Sequence, residues 1–427
     1  MPKMKSEYYQ IAIVGAGPAG CSAALWTARL CPQLAGRILV LEKERHPRAK
    51  VCGGGLTVAA MDALSRLGLS LNIPHAKINH IRLLFENHRL DIERPCRMRV
   101  VRRDRFDAML CDAVKAAGIE VRENEEVAEA GFLQGFWILR TSRGLYRARV
   151  VVGADGARGL THRLLPGFGR YRSVGLTVDT PAGVGDTREN EDSRVTVDFT
   201  CNATGIPGYA WHFPFYDGSR RGFNHGIYCC SLNALEKRHS LAGILMDGLR
   251  TRGIEAPDRI RGGYGSGYYA RRPLSRHNLL LAGDAAGGNI FTGEGISQAL
   301  EYGRLAAVEI ARAFTRNDFS FRTYTTRVAA CDLGRELMYA ARLARSFYTD
   351  GPAIALPAME ADRALLRLVA DYLIGARPFR TIQRDVLTRM LVTSLRHGVP
   401  RFGMLFRLFA RHALRLAGAR EIDTGTG

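Results

Sequence analysis

"IAIVGAGPAGCSAALWTARL", residues 11–30, sets four apolar residues against a glycine-rich turn and then an alanine-rich run. That is the order of a short buried strand turning sharply into a helix. Gly15 permits the tight turn, Gly17 lets the backbone approach a pyrophosphate, and Gly20 lets helix and strand pack closely. The helix N-terminus then faces the phosphates. A bare G-x-G-x-x-G is a weak signal, but "RILVLEK", residues 37–43, adds an apolar strand ending in Glu42, placed to bind the ribose hydroxyls of an adenosine. The two stretches together specify an α/β fold with a doubly wound, Rossmann-like dinucleotide domain.

The rest of the composition bounds what surrounds that domain. At 427 residues the chain exceeds the ~250–300 residues at which one hydrophobic core stops growing, so two or three structural units are expected. The formal charge of +20, from 61 Lys plus Arg against 41 Asp plus Glu, suits an anionic partner. Nine cysteines without a Cys-x-x-Cys pair indicate neither a disulfide framework nor a metal site, and a cytoplasmic setting is expected. Residues 8–28 carry no charge, but Gly15, Gly17, Pro18 and Gly20 interrupt them, which excludes reading the stretch as a membrane span or signal peptide.

Three further stretches complete a pattern. "VRRDRFDAMLCDAVKAAG" has an Arg-x-x-Phe-Asp core at residues 103–107, "VVGADGARG" holds Asp155, and "NLLLAGDAAGGNIFTGEGISQALEYGRLAA" places Asp284 after an apolar strand and Gly293 and Gly295 before a helix. In order and spacing they resemble the p-hydroxybenzoate hydroxylase-like superfamily of FAD enzymes. The resemblance implies FAD held by Gly15, Gly17, Ala19, Gly20, Glu42, Lys43, Cys52, Gly53, Gly55, Arg103, Val127, Asp155, Asp284, Gly293, Gly295 and Ile296. Asp284 can accept from ribityl hydroxyls, and backbone amides near Gly293 and Gly295 can face the flavin pyrimidine edge.

Fold alone cannot choose the reaction within that superfamily. "KVCGGGL", residues 50–56, and "PGYAWHFPF", residues 207–215, are similar to the Lys-x-Cys-Gly-x-Gly and Tyr-x-Trp-x-Phe-Pro signatures of the geranylgeranyl reductase family, which saturates isolated double bonds of isoprenoid chains. The Trp-x-Trp-x-Ile-Pro segment favoured by flavin halogenases is absent, and no cysteine after Cys331 could hold the iron–sulfur cluster of a quinone-linked dehydrogenase. In a strand, Tyr209, Trp211 and Phe213 share one face. With Pro214 from the same signature they form the expected substrate contacts, an apolar wall for a prenyl chain. Cys52, Tyr209 and His212 are the candidate proton donors, Cys52 first because the family motif sets it beside the flavin ring.

The sequence therefore leads to an FAD-dependent prenyl reductase with the FAD domain at residues 8–164 and 273–315, an antiparallel substrate domain at 165–272, and a helical basic region at 316–427. An aromatic monooxygenase is the rival reaction, and a non-catalytic flavin binder a weaker one. The electron donor is left open among NADPH, a ferredoxin-like acidic protein and a quinol. "GVGDTR", residues 183–188, lacks the strand that a second nucleotide fingerprint needs. Residues 376–420 hold ten Arg and one acidic residue, Asp385. There Phe402, Leu405, Phe406, Phe409, Ala413 and Leu416 fall on one helical face opposite Arg407, Arg411 and Arg415, which suits a peripheral contact with an anionic membrane. No nucleic-acid module accompanies the arginines.

Overall fold

The computed structural model describes residues 6–93, 97–166, 172–182, 193–231, 240–255 and 259–397. The strand Ser6–Val14 lies at the centre of the first sheet, parallel to Ile38–Leu41 on one side and to Leu145–Gly153 on the other. Glu120–Arg122 extends the first flank and Leu279–Leu281 the second, both parallel. Ile11, Ile13, Leu39, Val40, Val151 and Leu280 are wholly buried, the near-continuous apolar runs of a sheet covered on both faces.

The helix Pro18–Leu30 packs on this sheet and against the long helix Ile296–Arg316. Gly303 allows the close approach: a methyl there would lie 2.6 Å from the Ser22 side chain and the Ala23 nitrogen. The Ser22 hydroxyl donates to the Leu300 carbonyl at 2.6 Å. These contacts join the first and the last motif of the nucleotide domain, which are some 280 residues apart in sequence.

The second sheet runs in the order Arg261–Ser266, Arg172–Pro181, Arg221–Ser231, Gly208–Tyr216, Arg194–Asp198, His80–Phe85, His88–Glu93. It is antiparallel except where Arg194–Asp198 pairs in parallel with His80–Phe85. The sheet thus takes one edge from a hairpin well ahead of residue 165, so the substrate unit is not a single insertion. Alternation in "HIRLLF" makes His80–Phe85 a strand but carries no information on which sheet receives it.

A small third sheet fixes the Cys-Gly stretch. Gly55–Leu56 pairs with Arg99–Val101, and Val101 N–H donates to the Gly54 carbonyl at 3.0 Å. Gly54, at φ +75°, sits so tightly on the Val101 carbonyl that no side chain fits. The helix Val58–Arg66 then begins, capped by the Thr57 hydroxyl on Ala60 N–H at 3.2 Å. Helices Tyr324–Ala330, Asp332–Ala361, Arg363–Leu373 and Phe379–His397 follow the nucleotide domain. The end of Arg363–Leu373 closes over Thr57, where Val58 N–H donates to the Ile374 carbonyl at 2.8 Å. The segment containing residues 183–188 and the amphipathic pattern from Phe402 to Leu416 lie outside the described residues. Among those described, no helix is long and apolar enough to cross a membrane.

Candidate functional site

A cavity of about 530 Å³ runs from the first glycine turn, past Cys52 and Gly53, to the aromatic strand Gly208–Tyr216. At its nucleotide end Gly15 has φ +104° and its Cα faces the Ala154 carbonyl with no room for a side chain. Gly17 caps the helix Pro18–Leu30 without a side-chain partner, leaving the positive end of the helix to the cavity. Arg48 lies beside it, with a methyl on Gly17 only 3.6 Å from Arg48 Nη2. The buried Nε of Arg48 makes no hydrogen bond but lies 3.7 Å from Glu42 Oε1, an ion pair. Glu42 is 4% exposed and accepts from Ala16 N–H at 2.8 Å and Glu44 N–H at 3.1 Å. Gly20 does not line the cavity; it meets the Gly15 carbonyl, the packing role its position in the motif demands.

Asp284 lines the cavity, and no described residue donates to its carboxylate. Gly293, at φ +63°, presses on the Tyr228 ring. The helix that follows differs from expectation at one point. Glu294 accepts from Ser297 N–H at 2.9 Å and also from the Ile296 N–H, so these amides cap onto a carboxylate instead of pointing at a ligand. Burial pushes the Glu294 carboxyl up from its ordinary range. Asp155 also lines the cavity, but its carboxylate is taken by the Thr161 N–H at 2.8 Å and the Thr161 hydroxyl, which ties down the loop. Lys43, Ala19 and Val127 also line the cavity, as does Gly55, which faces Met98 and Phe213 of the aromatic wall.

Arg103 opens the helix Arg103–Ala116 and donates twice to Asp107, at 3.0 Å each, with Asp107 wholly buried. Burial opposes its charge, but the Asp107 carboxylate and the Cys52 sulfur outweigh that, so the guanidinium stays charged. Cys52 therefore sits between a cation and the Gly54 N–H, which donates to its Sγ at 3.3 Å. Its surroundings are more polar than an apolar filler's would be.

Tyr209, Trp211 and Phe213 line the opposite wall, joined by Val197, Phe199, Tyr228, Phe291, Tyr348 and Leu373. Three tyrosines hold successive carbonyls of one loop. Tyr228 donates to Ile290 at 2.9 Å, Tyr348 to Phe291 at 2.7 Å and Tyr209 to Thr292. The Tyr209 proton is thereby committed to the backbone, and burial pushes its pKa up. His212 is not in the cavity. It lies on the other face of the strand, 7% exposed, with its Nδ1 2.7 Å from that of His225, and burial drives it well below the usual histidine range. Pro214 shares that other face and does not line the cavity. The sequence reading passed over Arg48, Glu294 and the aromatic residues Phe199, Phe291 and Tyr348. Of these only Arg48 carried a local signal, as a cation two residues before Lys50.

One group of three possible metal ligands occurs among the described residues, His46, Cys111 and Glu123. The Lys115 ammonium already lies 2.8 Å from Glu123, with His46 Nδ1 at 2.8 Å, so the group reads as a partly exposed ion pair.

Residues 8–203 match an FAD binding domain. The chain is 29% identical over 332 residues to the menaquinone reductase of Mycobacterium tuberculosis, covering 70% of this chain and 75% of that one. It is 26% identical over 343 residues to the digeranylgeranylglycerophospholipid reductase of Thermoplasma acidophilum, covering 74% and 81%. The chain carries the FAD binding domain of an FAD-dependent oxidoreductase and is similar to proteins named as reductases. The fold of this flavoprotein reductase is shared with a geranylgeranyl bacteriochlorophyll reductase-like protein of Thermoplasma acidophilum, with TM-score 0.68, 22% identity and coverage of 81% and 89%. A flavin-dependent brominase shares it too, with TM-score 0.59, 18% identity and coverage of 96% and 100%. The residues present fit FAD. The glycine turns leave its cradle clear, the uncapped start of the helix Pro18–Leu30 offers donors to phosphate oxygens with the Arg48 guanidinium beside it, and the Asp284 carboxylate is free to accept from hydroxyls.

Proposed function

We propose that this flavoprotein saturates carbon–carbon double bonds in a polyprenyl chain carried on a lipid or quinone head. The observation that carries the reading is the aromatic wall, Tyr209, Trp211 and Phe213 with Phe199, Phe291 and Tyr348, continuous with the nucleotide cradle through Gly53. Such a wall gives apolar contact along a chain without demanding hydrogen bonds from it. The names of the relatives, a menaquinone reductase and a digeranylgeranylglycerophospholipid reductase, support the same class of substrate.

Bound FAD, once reduced, would supply a hydride to one alkene carbon. Gly15, Gly17 and Arg48 would hold its pyrophosphate, Glu42 its adenosine ribose and Asp284 its ribityl hydroxyls. An isolated alkene is a poor hydride acceptor, so a proton must reach the second carbon with the hydride or ahead of it. Cys52 holds the proton best placed for this. Its sulfur already accepts from Gly54 N–H, and Arg103 would steady the charge left on it. The three tyrosine tethers keep the loop of residues 290–292 against the wall and help to exclude water. The net charge of +20 and the arginine-rich stretch of residues 376–420 support work at an anionic membrane surface, where such chains reside.

The test is anaerobic incubation of dithionite-reduced protein with geranylgeranyl lipids and with menaquinone, followed by mass spectrometry. The expected result is a gain of two hydrogens per double bond. No gain with either, together with substrate-stimulated oxygen uptake by the aerobic enzyme, would mark a monooxygenase instead.

A further inference from the structure

A second cavity of about 130 Å³ opens on the far side of the Cys52–Gly53 turn and shares that turn with the first. It lies between the nucleotide domain and the second sheet, and its walls carry Arg48, Lys50, Arg102, Arg103 and Arg261 against only Asp104 and Asp179. The acidic groups are oversubscribed. Asp179 is shared by Arg102 Nη1 at 2.8 Å and by Arg261, and it also accepts from Asn224 Nδ2 at 2.7 Å. Asp107, behind the wall, serves both Arg103 and, at 3.4 Å, Arg48, which also lies 3.7 Å from Glu42, and Asp104 lies 3.8 Å from Arg102, so four carboxylates face five cations. Lys50 is exposed at the rim and makes no ion pair among the described residues. The helix Arg103–Ala116 also starts here; its N-cap residue Arg102 makes no capping bond, while Asp104 accepts from the Arg105 N–H at 2.9 Å.

We propose that this small cavity is a subsite for a phosphate ester bound beside Cys52. The guanidinium forks of Arg102, Arg103 and Arg261, with the Lys50 ammonium at the rim, match phosphate oxygens in geometry as well as charge. The volume suits a compact anion and is too small for an isoprenoid chain. The two cavities are also coupled. Trp211 Nε1 donates to Asn224 Oδ1 at 2.7 Å, and Asn224 in turn donates to Asp179, so the residue that shapes the aromatic wall is tied to the carboxylate that orients the arginines. A substrate with a phosphate in the small cavity would pass its chain by Gly53 into the large one. The phosphate can come from the head of the substrate, which rests on the prenyl reductase reading, or from the ribose phosphate of a dinucleotide electron donor, which does not.

The experiment is calorimetric titration of the FAD-loaded protein with two ligand pairs, geranylgeranyl diphosphate against geranylgeraniol and NADPH against NADH. It is repeated on Lys50→Gln, Arg261→Gln and the charge-retaining Lys50→Arg. Flavin content and melting temperature confirm that each variant is folded. The phosphate-bearing member of at least one pair binds more tightly. Each Gln substitution weakens it about tenfold, the scale of one hydrogen bond to a charged group, and leaves its partner unchanged, while Lys50→Arg keeps the preference. Preference in the first pair assigns the phosphate to the substrate, and preference in the second assigns it to the electron donor. No preference in either pair, or a preference that survives both Gln substitutions, overturns the subsite. Because binding is read without turnover, a failure to reduce prenyl chains would leave this result standing on its own.

Discussion

Gly53 lies directly against Trp211: a methyl on its Cα would sit 2.9 Å from the indole Nε1 and 2.8 Å from Phe213 Cδ2. The cysteine-glycine turn and the aromatic strand, about 160 residues apart, are thus one surface. The indole cannot yield, because it is 6% exposed and its N–H is held by Asn224. Gly53→Ala is expected to cost about 1–3 kcal/mol of overpacking and to slow prenyl reduction severely. At Gly55 the nearest atom is the flexible end of Met98, at 3.1 Å, so Gly55→Ala is tolerated. Thermal melting and single-turnover rates of the two variants, compared side by side, check the contrast.

Tyr209→Phe separates tethering from acid catalysis. The hydroxyl donates to the Thr292 carbonyl, so its removal is expected to lower stability by about 1 kcal/mol and to change the reduction rate only a few-fold. A loss of two orders of magnitude or more with FAD affinity intact would instead make this hydroxyl the proton donor.

The nucleotide cradle was legible because each of its signals is local. Gly15, Gly17 and Gly20 stand together, and Glu42 and Asp284 each end a short apolar strand. The aromatic wall was legible only where a single strand carries it, at Tyr209, Trp211 and Phe213. Phe199 precedes a 3-10 turn, Phe291 lies in a loop and Tyr348 and Leu373 lie on two helices, and nothing local distinguishes such residues from ordinary core. His212 shows the limit of the alternation rule. The period of two places it opposite Trp211, and the cavity lies on the Trp211 side, so the histidine meets its cross-strand partner His225 on the sheet's other face. The hairpin of residues 80–93 joins a distant sheet through register contacts that no sequence period encodes.

The buried histidine pair gives a pH dependence of stability. Burial, aided by the Arg252 charge, lowers His225 to about 4, and burial holds His212 well below its ordinary value. In the unfolded chain both titrate near 6.5. Between those values the unfolded state binds more protons, so stability rises with pH through the window and is lost as pH falls from about 6.5 towards 4. The expected loss is a few kcal/mol over the window. The chemical-denaturation midpoint, followed from pH 7.5 to 4.5, falls steeply below 6.5. His225→Gln, which can still meet the Thr180 hydroxyl bonded to His225 Nε2, is less stable at neutral pH but shows a shallower slope. An unchanged slope would place the acid sensitivity elsewhere.

Cys52 is the residue on which the proposed chemistry turns. It is the only one of the three sequence-derived proton donors that lines the large cavity without its proton committed to a backbone carbonyl. Its sulfur accepts from Gly54 N–H and faces Arg103, an arrangement that leaves the S–H free to point at a bound alkene. Cys52→Ala and Cys52→Ser, with flavin content equal to the parent's, are expected to reduce prenyl chains about 10²–10⁴-fold more slowly, the usual worth of a positioned acid. Substrate affinity should be nearly unchanged, because the thiol adds little apolar area. Anaerobic rapid mixing of the reduced enzyme with substrate, followed by flavin reoxidation across a pH range, separates this from a packing role. An acid's removal alters the pH profile as well as the rate, whereas loss of a small filler lowers affinity or stability and leaves the profile intact. Parental rates in both variants would remove Cys52 from the mechanism and leave the proton to come from solvent or from the substrate's own head group.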